Sequence, residues 1–335
     1  MSKRMMQAIR VYQYGGPEQL KQEQISCPEP QPDEVLVRVY ATSVLPIEWK
    51  IRQGLFHAFN PATFPYIPGS AFAGVVEEVG SLVTTFRSRH QSRPPTTLPR
   101  LPPVRRPARR GQAVFGRSNK GTYAEYTTVS GETIALKPES LGFDEAATIS
   151  GGATTAWEAL FDHGGLQAGQ RVLILGAAGG VGSFAVQLAR WKGAQVIGTT
   201  GAANVDFVRS LGAETVVDYT STPVEQVVHD VDLVVDTVGG QTLESAWPVI
   251  KRGGRLVSTA GQPSKEKARE LGIGALFFSG GRPSSERLQT IAQLIDEGQV
   301  KATLARIFPL REASLAHELS QSGHGRGRIV LHIAD

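Results

Sequence analysis

The sequence predicts an α/β protein in which a strand-rich region precedes a doubly wound parallel sheet. Three observations support this fold class. The region before about residue 137 consists of short strands broken by Gly and Pro, with little helical periodicity. From about residue 171, strand-like and helix-like segments alternate, as they do in parallel sheets covered by helices. A glycine-rich turn joins the first of those strands to the first of those helices.

The strand-rich region contains segments with the two-residue periodicity of half-buried strands. These segments are residues 9–12, 34–39, 73–80 and 123–129. Together they predict a compact domain resembling a β-barrel. The pattern then becomes helical: we expect Asp144 to cap a helix beginning at Glu145, and residues 155–162 to form a second helix.

The second half of the chain supplies the parallel sheet. Its predicted strands are residues 171–175, 195–199, 215–217, 233–235 and 255–257, with helices over 180–192 and 204–211 between them. A helix over 285–297 and a strand over 328–333 follow, and we expect this last segment to rejoin the first domain. The predicted domains are therefore residues 1–146, 147–284 and 285–335, the third being a return to the first.

Residues 87–110 fit neither domain. They hold eight Arg, six Pro and no acidic residue, so the net charge of +4 divides into +8 here and −4 elsewhere. We expect a disordered or extended solvated loop. Two alternatives are an arm that binds nucleic acid or an acidic partner, and a segment foreign to the fold, since the flanking sequences would join without it. The nucleic-acid interpretation is disfavoured because the segment has no aromatic residue to stack on bases.

The composition excludes several classes of protein. A single cysteine, Cys27, permits neither an internal disulfide nor a zinc site made of cysteines. No apolar stretch approaches the roughly 18 residues of a membrane span. The charged N-terminus leads into strand-like sequence rather than an apolar signal core. We therefore expect a cytoplasmic protein that does not contact membranes.

The glycine-rich turn predicts a dinucleotide site. A buried strand runs directly into Ala177-Ala178-Gly179-Gly180-Val181-Gly182, and an amphipathic helix follows. Gly179 allows the backbone to approach a pyrophosphate, and Gly182 allows the helix to pack on the strand. The helix N-terminus offers N–H groups to the phosphates. The predicted cofactor contacts here are Ala178, Gly179, Gly180, Val181 and Gly182.

The end of the next strand indicates which dinucleotide binds. Sites for NAD carry Asp or Glu there to bind the ribose 2′-hydroxyl. This chain has Thr199 and Thr200, followed by Asn204, and no acid. Small hydroxyl and amide groups accommodate a 2′-phosphate, and Arg209 on the next helix could supply positive charge. The pattern predicts NADPH.

The run from Gly169 to Gly182, with Gln187 and Arg190 beyond it, closely resembles the signature of the zinc-free quinone oxidoreductases. This zeta-crystallin-like family belongs to the medium-chain dehydrogenase/reductase superfamily. The resemblance implies a GroES-like β-barrel catalytic domain, built from both chain ends around a Rossmann domain, with NADPH in the cleft between them. It also implies a homodimer, in which residues 274–278 resemble the strand joining two Rossmann sheets, although they could equally be internal. The resemblance extends to residues 41–44, 68–70, 72–76, 121–126, 155–157 and 327–331.

The resemblance also implies roles for single residues. Tyr219 would lie beside the adenine ribose or 2′-phosphate. Thr155 and Leu45 would lie near the nicotinamide, and Arg328 would reach the cofactor from the C-terminal segment. Loops after later strands would contribute Val238, Gly239, Ala260 and Gly261.

The chain departs from its relatives around the expected reaction centre. Zinc members carry a catalytic Cys where this chain has Leu45 and a His-Glu pair where it has Ser70-Ala71, so we expect no metal. Zinc-free relatives read Val-Asn-Pro-Ile-Asp where this chain reads Val44-Leu45-Pro46-Ile47-Glu48. The chain therefore lacks the side-chain amide of the Asn that these relatives carry in place of Leu45, which makes the pocket more apolar. Lys50 and Tyr66 remain as candidate proton donors or oxygen ligands.

We therefore expect an enzyme that transfers a hydride from NADPH to a small hydrophobic quinone or α,β-unsaturated carbonyl without metal. The alternative is an NADPH-binding sensor, scaffold or RNA-binding protein with little turnover, which Leu45 and the arginine-rich segment would suit. A zinc alcohol dehydrogenase is disfavoured because the ligand residues are missing.

Overall fold

The computed structural model describes residues 4–58, 61–83, 109–323 and 325–335. Its strands are β1 (Met5–Arg10), β2 (Lys21–Ser26), β3 (Glu34–Ser43), β4 (Ala71–Val79), β5 (Ala113–Arg117), β6 (Tyr126–Ser130), β7 (Ile134–Leu136), β8 (Arg171–Leu175), β9 (Gln195–Thr200), β10 (Thr215–Asp218), β11 (Val231–Asp236), β12 (Ile250–Ser258), β13 (Gly274–Phe277), β14 (Leu304–Pro309) and β15 (Arg328–His332). Its α-helices are α1 (Pro46–Arg52), α2 (Phe143–Ala147), α3 (Ile149–Trp157), α4 (Gly182–Trp191), α5 (Val205–Ser210), α6 (Val224–Val227), α7 (Gly240–Ser245), α8 (Lys265–Leu271), α9 (Ser285–Asp296) and α10 (Ala313–Gln321).

The second half of the chain forms a six-stranded parallel sheet in the order β10-β9-β8-β11-β12-β13. The strand order reverses between β8 and β11, where open α/β sheets bind ligands at the carboxyl ends of their strands. The central strands are buried throughout: Leu173 and Val234 are fully shielded from solvent, as expected for a sheet with helices on both faces. The predicted α/β fold class is confirmed.

A seven-stranded sheet draws on both ends of the chain. Its order is β14-β15-β3-β4-β5-β7, with β6 also paired to β3. β15 pairs antiparallel with β3, so that Val330 lies opposite Ser43. This sheet corresponds to the predicted barrel-like region together with the last segment of the chain. The domain limits at residues 146 and 284 stay predictions. The predicted loop at 87–110 lies outside the described residues, except for Arg109 and Arg110.

The two sheets share one continuous core. Ala41 and Phe115 of the seven-stranded sheet belong to the same buried cluster as Ala153 of α3 and Phe184 of α4. α3 packs closely against the glycine-rich turn, because a Cβ added to Gly152 would lie 2.4 Å from the carbonyl oxygen of Gly180. This packing fixes the cleft between the sheets. No helix in the described ranges is long and apolar enough to span a membrane.

Several predicted elements differ from the structure. Asp144 does not cap a helix: α2 starts at Phe143, two residues before the predicted start at Glu145, and its N-cap is Gly142. The Asp144 carboxylate instead contacts His332 Nδ1 on β15 at 3.0 Å. The strand predicted from residue 123 begins only at Tyr126, and the Tyr123 side chain that precedes it is fully buried. The helix predicted over 155–162 begins at Ile149 and continues as a π-helical segment over Glu158–His163.

Candidate active site

The glycine-rich turn lies between β8 and α4, at the switch point of the parallel sheet. Gly176 has a φ of +74°, a conformation that glycine adopts without strain. A Cβ at Gly182 would lie 2.1 Å from the Gly176 carbonyl oxygen, so only glycine allows α4 to approach the strand end this closely. At Gly179 the nearest atom would be 3.3 Å away, the same carbonyl of its own turn. The turn therefore leaves an open approach at Gly179, which fits a bound pyrophosphate.

The C-terminal segment lies against this turn. The Gly327 N–H donates to the Ala178 carbonyl at 2.8 Å. The Arg328 side chain follows, and a Cβ added to Gly180 would lie 2.6 Å from its Cζ. Arg328 is 6% exposed, and within the described part of the chain its Nε has no hydrogen-bond partner. Burial lowers its pKa to about 10. A buried, incompletely paired guanidinium beside a helix N-terminus suits a phosphate oxygen.

The end of β9 lies beside the same turn. Thr199 and Thr200 are buried, and the Thr199 hydroxyl accepts a hydrogen bond from the Gly176 N–H at 3.2 Å. Tyr219 is 57% exposed, and its hydroxyl lies 3.6 Å from the position of a Cβ on Gly201. The threonines and Tyr219 thus flank one end of the turn.

Two arginines lie near α5, in different environments. Arg209 forms an ion pair with Asp206 at 3.0 Å on the exposed face of the helix. Arg326, which sequence reasoning missed, places its guanidinium 4.9 Å from the ring centre of Phe207. Arg326 precedes Gly327, the residue bonded to the turn, so its side chain lies between the turn and α5.

The loops after β11 and β12 are tied together by one buried carboxylate. Asp236 accepts the backbone N–H groups of Val238 at 3.0 Å and Gly239 at 2.9 Å, and the Ser258 hydroxyl donates to it at 2.6 Å. The Ser258 oxygen in turn accepts the N–H groups of Ala260 and Gly261 at 3.2 and 3.1 Å. The four residues predicted to contact the cofactor from these loops, Val238, Gly239, Ala260 and Gly261, therefore lie together. Asp236 gave no sequence signal beyond its place at a strand end.

Leu45 fills the space between the seven-stranded sheet and α3. Its side chain is 5% exposed. A Cβ at Gly151 would lie 2.6 Å from its Cδ2 and 3.4 Å from the Cβ of Ala71. Thr155, one turn further along α3, is 9% exposed and donates to the Gly151 carbonyl at 3.1 Å. Leu45 and Thr155 therefore lie on either side of Gly151, and Leu45 forms an apolar wall.

Glu48 is a buried acid next to Leu45 and Ser70, and sequence reasoning did not select it. Its Oε2 accepts the Leu45 N–H at 2.9 Å and the Tyr123 hydroxyl at 2.7 Å, while Oε1 lies 3.5 Å from the Ser70 hydroxyl. The side chain is 6% exposed. Burial raises the pKa of Glu48 to about 7, although the Leu45 N–H, Tyr123 and the charge of Arg117 favour the ionised form.

Arg117 closes the site from the end of β5. Its Nη2 donates to the Ser70 hydroxyl at 3.3 Å, and its Nη1 donates to the Gly281 carbonyl at 3.1 Å. Gly281 belongs to the segment that follows the six-stranded sheet, so Arg117 spans the cleft. The next residue back, Gly280, lies near both Arg117 and Thr155, since a Cβ there would be 3.5 and 3.3 Å from their side chains. The guanidinium therefore lies close to the predicted nicotinamide end.

The candidate proton donors Lys50 and Tyr66 lie in different surroundings, and Tyr66 is close enough to Glu48 for their charges to interact. The Lys50 ammonium lies 5.6 Å from the Trp49 ring centre. Tyr66 packs with Phe64, and its buried hydroxyl has no hydrogen-bond partner among the residues that the structure describes. Burial raises its pKa to about 12. No group of three or more His, Cys, Asp or Glu side chains that could hold a metal occurs within the described segments.

Comparisons with known proteins cover the chain from end to end. Residues 31–139 match the alcohol dehydrogenase GroES-like domain, and residues 211–331 match a zinc-binding dehydrogenase family. Quinone oxidoreductase of Mus musculus is 32% identical, over 98% of this chain and 98% of that protein. The 2-methylene-furan-3-one reductase of Solanum lycopersicum is 30% identical, over 98% of this chain and 79% of that protein.

A solved structure agrees with these relatives. The quinone oxidoreductase from Coxiella burnetii superposes with a TM-score of 0.82 at 31% identity, covering 98% of this chain and 99% of that one. The sequence similarity and the fold thus extend over 98% of this chain. The chain belongs to the quinone oxidoreductase family of the medium-chain dehydrogenase/reductase superfamily.

Proposed function

We propose that this oxidoreductase uses NADPH to reduce quinones or α,β-unsaturated carbonyls without a metal ion. The observation that carries the proposal is the composition of the cleft. The resemblance implies that Leu45, Ser70 and Ala71 replace the metal ligands of zinc relatives. Arg117 and Glu48 supply polar groups at Ser70. Named relatives support this substrate class, since one is a quinone oxidoreductase and another reduces a methylene-furanone.

The family uses a nicotinamide cofactor, and the cleft residues fit one. The turn at 178–182 and Arg328 would hold the pyrophosphate, while Thr155 would lie beside the nicotinamide. When bound, the reduced nicotinamide supplies a hydride. The other residues that we propose to contact it are Thr199, Thr200, Asn204, Tyr219, Val238, Gly239, Ala260 and Gly261.

The preference for NADPH rests on charge near the end of β9. The five residues that follow Thr200, 201–205, include no acid to repel a 2′-phosphate. Arg209 is engaged by Asp206, whereas Arg326 lies over an aromatic ring and forms no ion pair among the described residues. We therefore propose Arg326, rather than Arg209, as the main cation for the 2′-phosphate, with Tyr219 beside it.

The acceptor oxygen would be polarised by hydrogen bonds instead of a metal. Arg117 and the Ser70 hydroxyl supply N–H and O–H donors on the same side of the cleft. A quinone or enone carbonyl is already electrophilic, so donors of this kind suffice where an alcohol would need a Lewis acid. The Leu45 wall favours a hydrophobic acceptor.

Steady-state oxidation of NADPH and NADH, with 9,10-phenanthrenequinone and a panel of enones in the presence of a chelator, tests this function. We expect turnover that survives chelation. Arg326→Ala should raise the KM for NADPH by about tenfold or more, because a charge-assisted phosphate contact contributes ~1.5–3 kcal/mol. The KM for NADH should not change in this variant. The matched control, Arg209→Ala, should change neither the KM for NADPH nor the KM for NADH.

Two outcomes would contradict the proposal. Loss of activity on chelation, with stoichiometric zinc in the protein, would restore a metal mechanism. Tight NADPH binding without turnover of any acceptor would favour the alternative of a sensor, scaffold or RNA-binding protein, for which the apolar packing of Leu45 against Gly151 is the relevant observation.

A further inference from the structure

A chain of buried hydrogen bonds runs from Arg52 to Glu48 beneath the cleft. Arg52 Nε lies 3.4 Å from His317 Nδ1, His317 Nε2 lies 3.0 Å from the Tyr123 hydroxyl, and that hydroxyl lies 2.7 Å from Glu48 Oε2. Arg52, His317 and Tyr123 are fully buried, and Glu48 is 6% exposed. The four groups form one connected network.

The chemistry of the donors fixes the direction of this network. A guanidinium only donates, so His317 Nδ1 must accept from Arg52. The neutral imidazole therefore carries its proton on Nε2 and donates it to the Tyr123 oxygen. The Tyr123 O–H is then free to donate to Glu48. Oε2 of Glu48 thus receives two donors, from Tyr123 and from the Leu45 N–H, and only Oε1 faces the cleft at Ser70.

We propose that Glu48 is the proton source of the reduction and that the Ser70 hydroxyl passes its proton to the acceptor. This inference rests on the proposed function. The acceptor gains a hydride from the reduced nicotinamide and one proton from Ser70 Oγ. As that O–H bond breaks, the Oε1–H bond of Glu48 breaks to restore the serine hydroxyl. The products are the two-electron-reduced acceptor and a Glu48 carboxylate, which solvent reprotonates. The 3.5 Å separation of Ser70 and Glu48 is of the kind that tightens when substrate binds.

Tyr123, His317 and Arg52 act on this step only as positioning residues. Arg52 cannot release its proton, and burial, helped by the charge of Arg52, lowers the pKa of His317 to about 3. The inner end of the network therefore neither supplies nor removes protons in the neutral range. Glu48 must therefore be reprotonated from the side of the cleft, where Ser70 lies.

Glu48 is the group of this cluster that titrates near neutrality. Burial raises its pKa to about 7, so a useful fraction holds the proton at physiological pH. Burial also raises the pKa of Tyr123 well above its ordinary value. The charged and titratable groups that face Glu48 from neighbouring elements are Arg117 on β5, Arg328 on β15, Tyr66 and Tyr123 in loops and, through Tyr123, His317 on α10 and Arg52 on α1.

Glu48→Gln tests the proposal, because the amide can keep the contact with the Leu45 N–H but cannot donate an acidic proton. We expect kcat for quinone reduction to fall about 100-fold, with the KM for NADPH unchanged. The wild-type kcat should decline as pH rises through about 7, and this decline should be absent in the variant. Infrared difference spectra, which need no turnover, should show a protonated carboxyl band that disappears over the same pH range and is missing in Glu48→Gln.

Two further variants distinguish the transfer of the proton by Ser70 from the positioning of Glu48 by Tyr123. Ser70→Ala should lower kcat while leaving the infrared titration of Glu48 in place. Tyr123→Phe removes a hydrogen-bond donor to the Glu48 carboxylate. The decline of kcat with rising pH should therefore shift to higher pH by about one unit. A wild-type kcat and pH profile in Glu48→Gln, or a carboxyl band that does not titrate, would overturn the proposal while leaving the proposed function intact. A wild-type enzyme that turns over no acceptor would overturn both.

Discussion

Gly179 and Gly182 lie in the same turn, yet an added methyl group would meet different surroundings at each. At Gly182 it would lie 2.1 Å from a backbone carbonyl oxygen that cannot move without displacing β8. At Gly179 the closest atom is 3.3 Å away, and the space beyond is the proposed path of the pyrophosphate. The fold therefore requires Gly182, and we propose that cofactor binding requires Gly179.

Alanine at each position should separate these requirements. Gly182→Ala should lower the free energy of unfolding by about 1–3 kcal/mol through overpacking. Gly179→Ala should leave stability nearly unchanged but weaken NADPH binding by about tenfold or more, because the methyl group intrudes on the approach of the phosphates. Denaturant unfolding and fluorescence titration with NADPH measure the two effects. Equal destabilisation by both substitutions would contradict this division.

The sequence predicted the functional residues on one side of the cleft, in the glycine-rich turn, but not those on the other side, Glu48 and Arg117. The glycine-rich turn could be predicted because the spacing of its glycines, the preceding strand and the following helix are contiguous in the sequence. Glu48 and Arg117 could not, because their roles depend on Ser70 and Tyr123, which are distant in sequence. Nothing in the local pattern around Glu48 indicates a buried carboxylate.

β13 is the outermost strand of the parallel sheet, and no strand of the described chain pairs with its outer edge. Unpaired edges invite pairing with a second copy. The sequence left open whether residues 274–278 were an edge or an internal strand, and the structure has them at the edge. We propose that two protomers join their β13 strands about a twofold axis to form the homodimer.

Gly274→Glu tests this interface. Gly274 is exposed, and a Cβ there would lie 3.5 Å from the nearest atom, the Cγ of Arg255, so the protomer should accept the substitution. A charge on the edge should oppose pairing, and light scattering after gel filtration should show the wild-type dimer become monomeric. Gly274→Ala, which adds no charge, should remain dimeric. A wild-type monomer, or a dimer that tolerates glutamate, would rule out this edge.

Elements with strong periodicity were the predictable ones. The strands of the parallel sheet appeared where their apolar runs predicted them, within a few residues. α1, in contrast, was missed because seven residues beginning with Pro46 are too short to show helical periodicity. The strand predicted from residue 123 starts late because Tyr123 contacts Glu48, a tertiary interaction that overrides the local pattern.

At the scale of the whole molecule, the arginine-rich segment can be separated from the fold around it. On its C-terminal side, Gly111 N–H donates to the Val76 carbonyl at 2.8 Å, and Gln112 accepts from the Val76 N–H at 3.0 Å. On its N-terminal side, Val83 packs against the core that includes Val76 and Val114. Both flanks are therefore held by contacts with the seven-stranded sheet.

Replacing residues 84–108 with a short Gly-Ser linker should leave the melting temperature and NADPH affinity close to those of the wild type. It removes six arginines and no acid, so it should also lower the isoelectric point. Calorimetry, NADPH titration and electrophoretic mobility with RNA measure the outcome. Loss of RNA retention in the shortened protein would support the RNA-binding alternative, and a large drop in stability would show that the segment belongs to the fold.

The contact between Gly327 and Ala178 has a consequence for synthesis. The turn is translated first, and Gly327 and Arg328 follow about 150 residues later. At roughly 5–20 residues per second, the ribosome finishes these residues on the order of ten seconds after the turn. A nascent chain in that interval has neither the buried guanidinium nor β15. The nucleotide site is therefore complete only after Gly327 has docked on Ala178, and cofactor capture reports that docking.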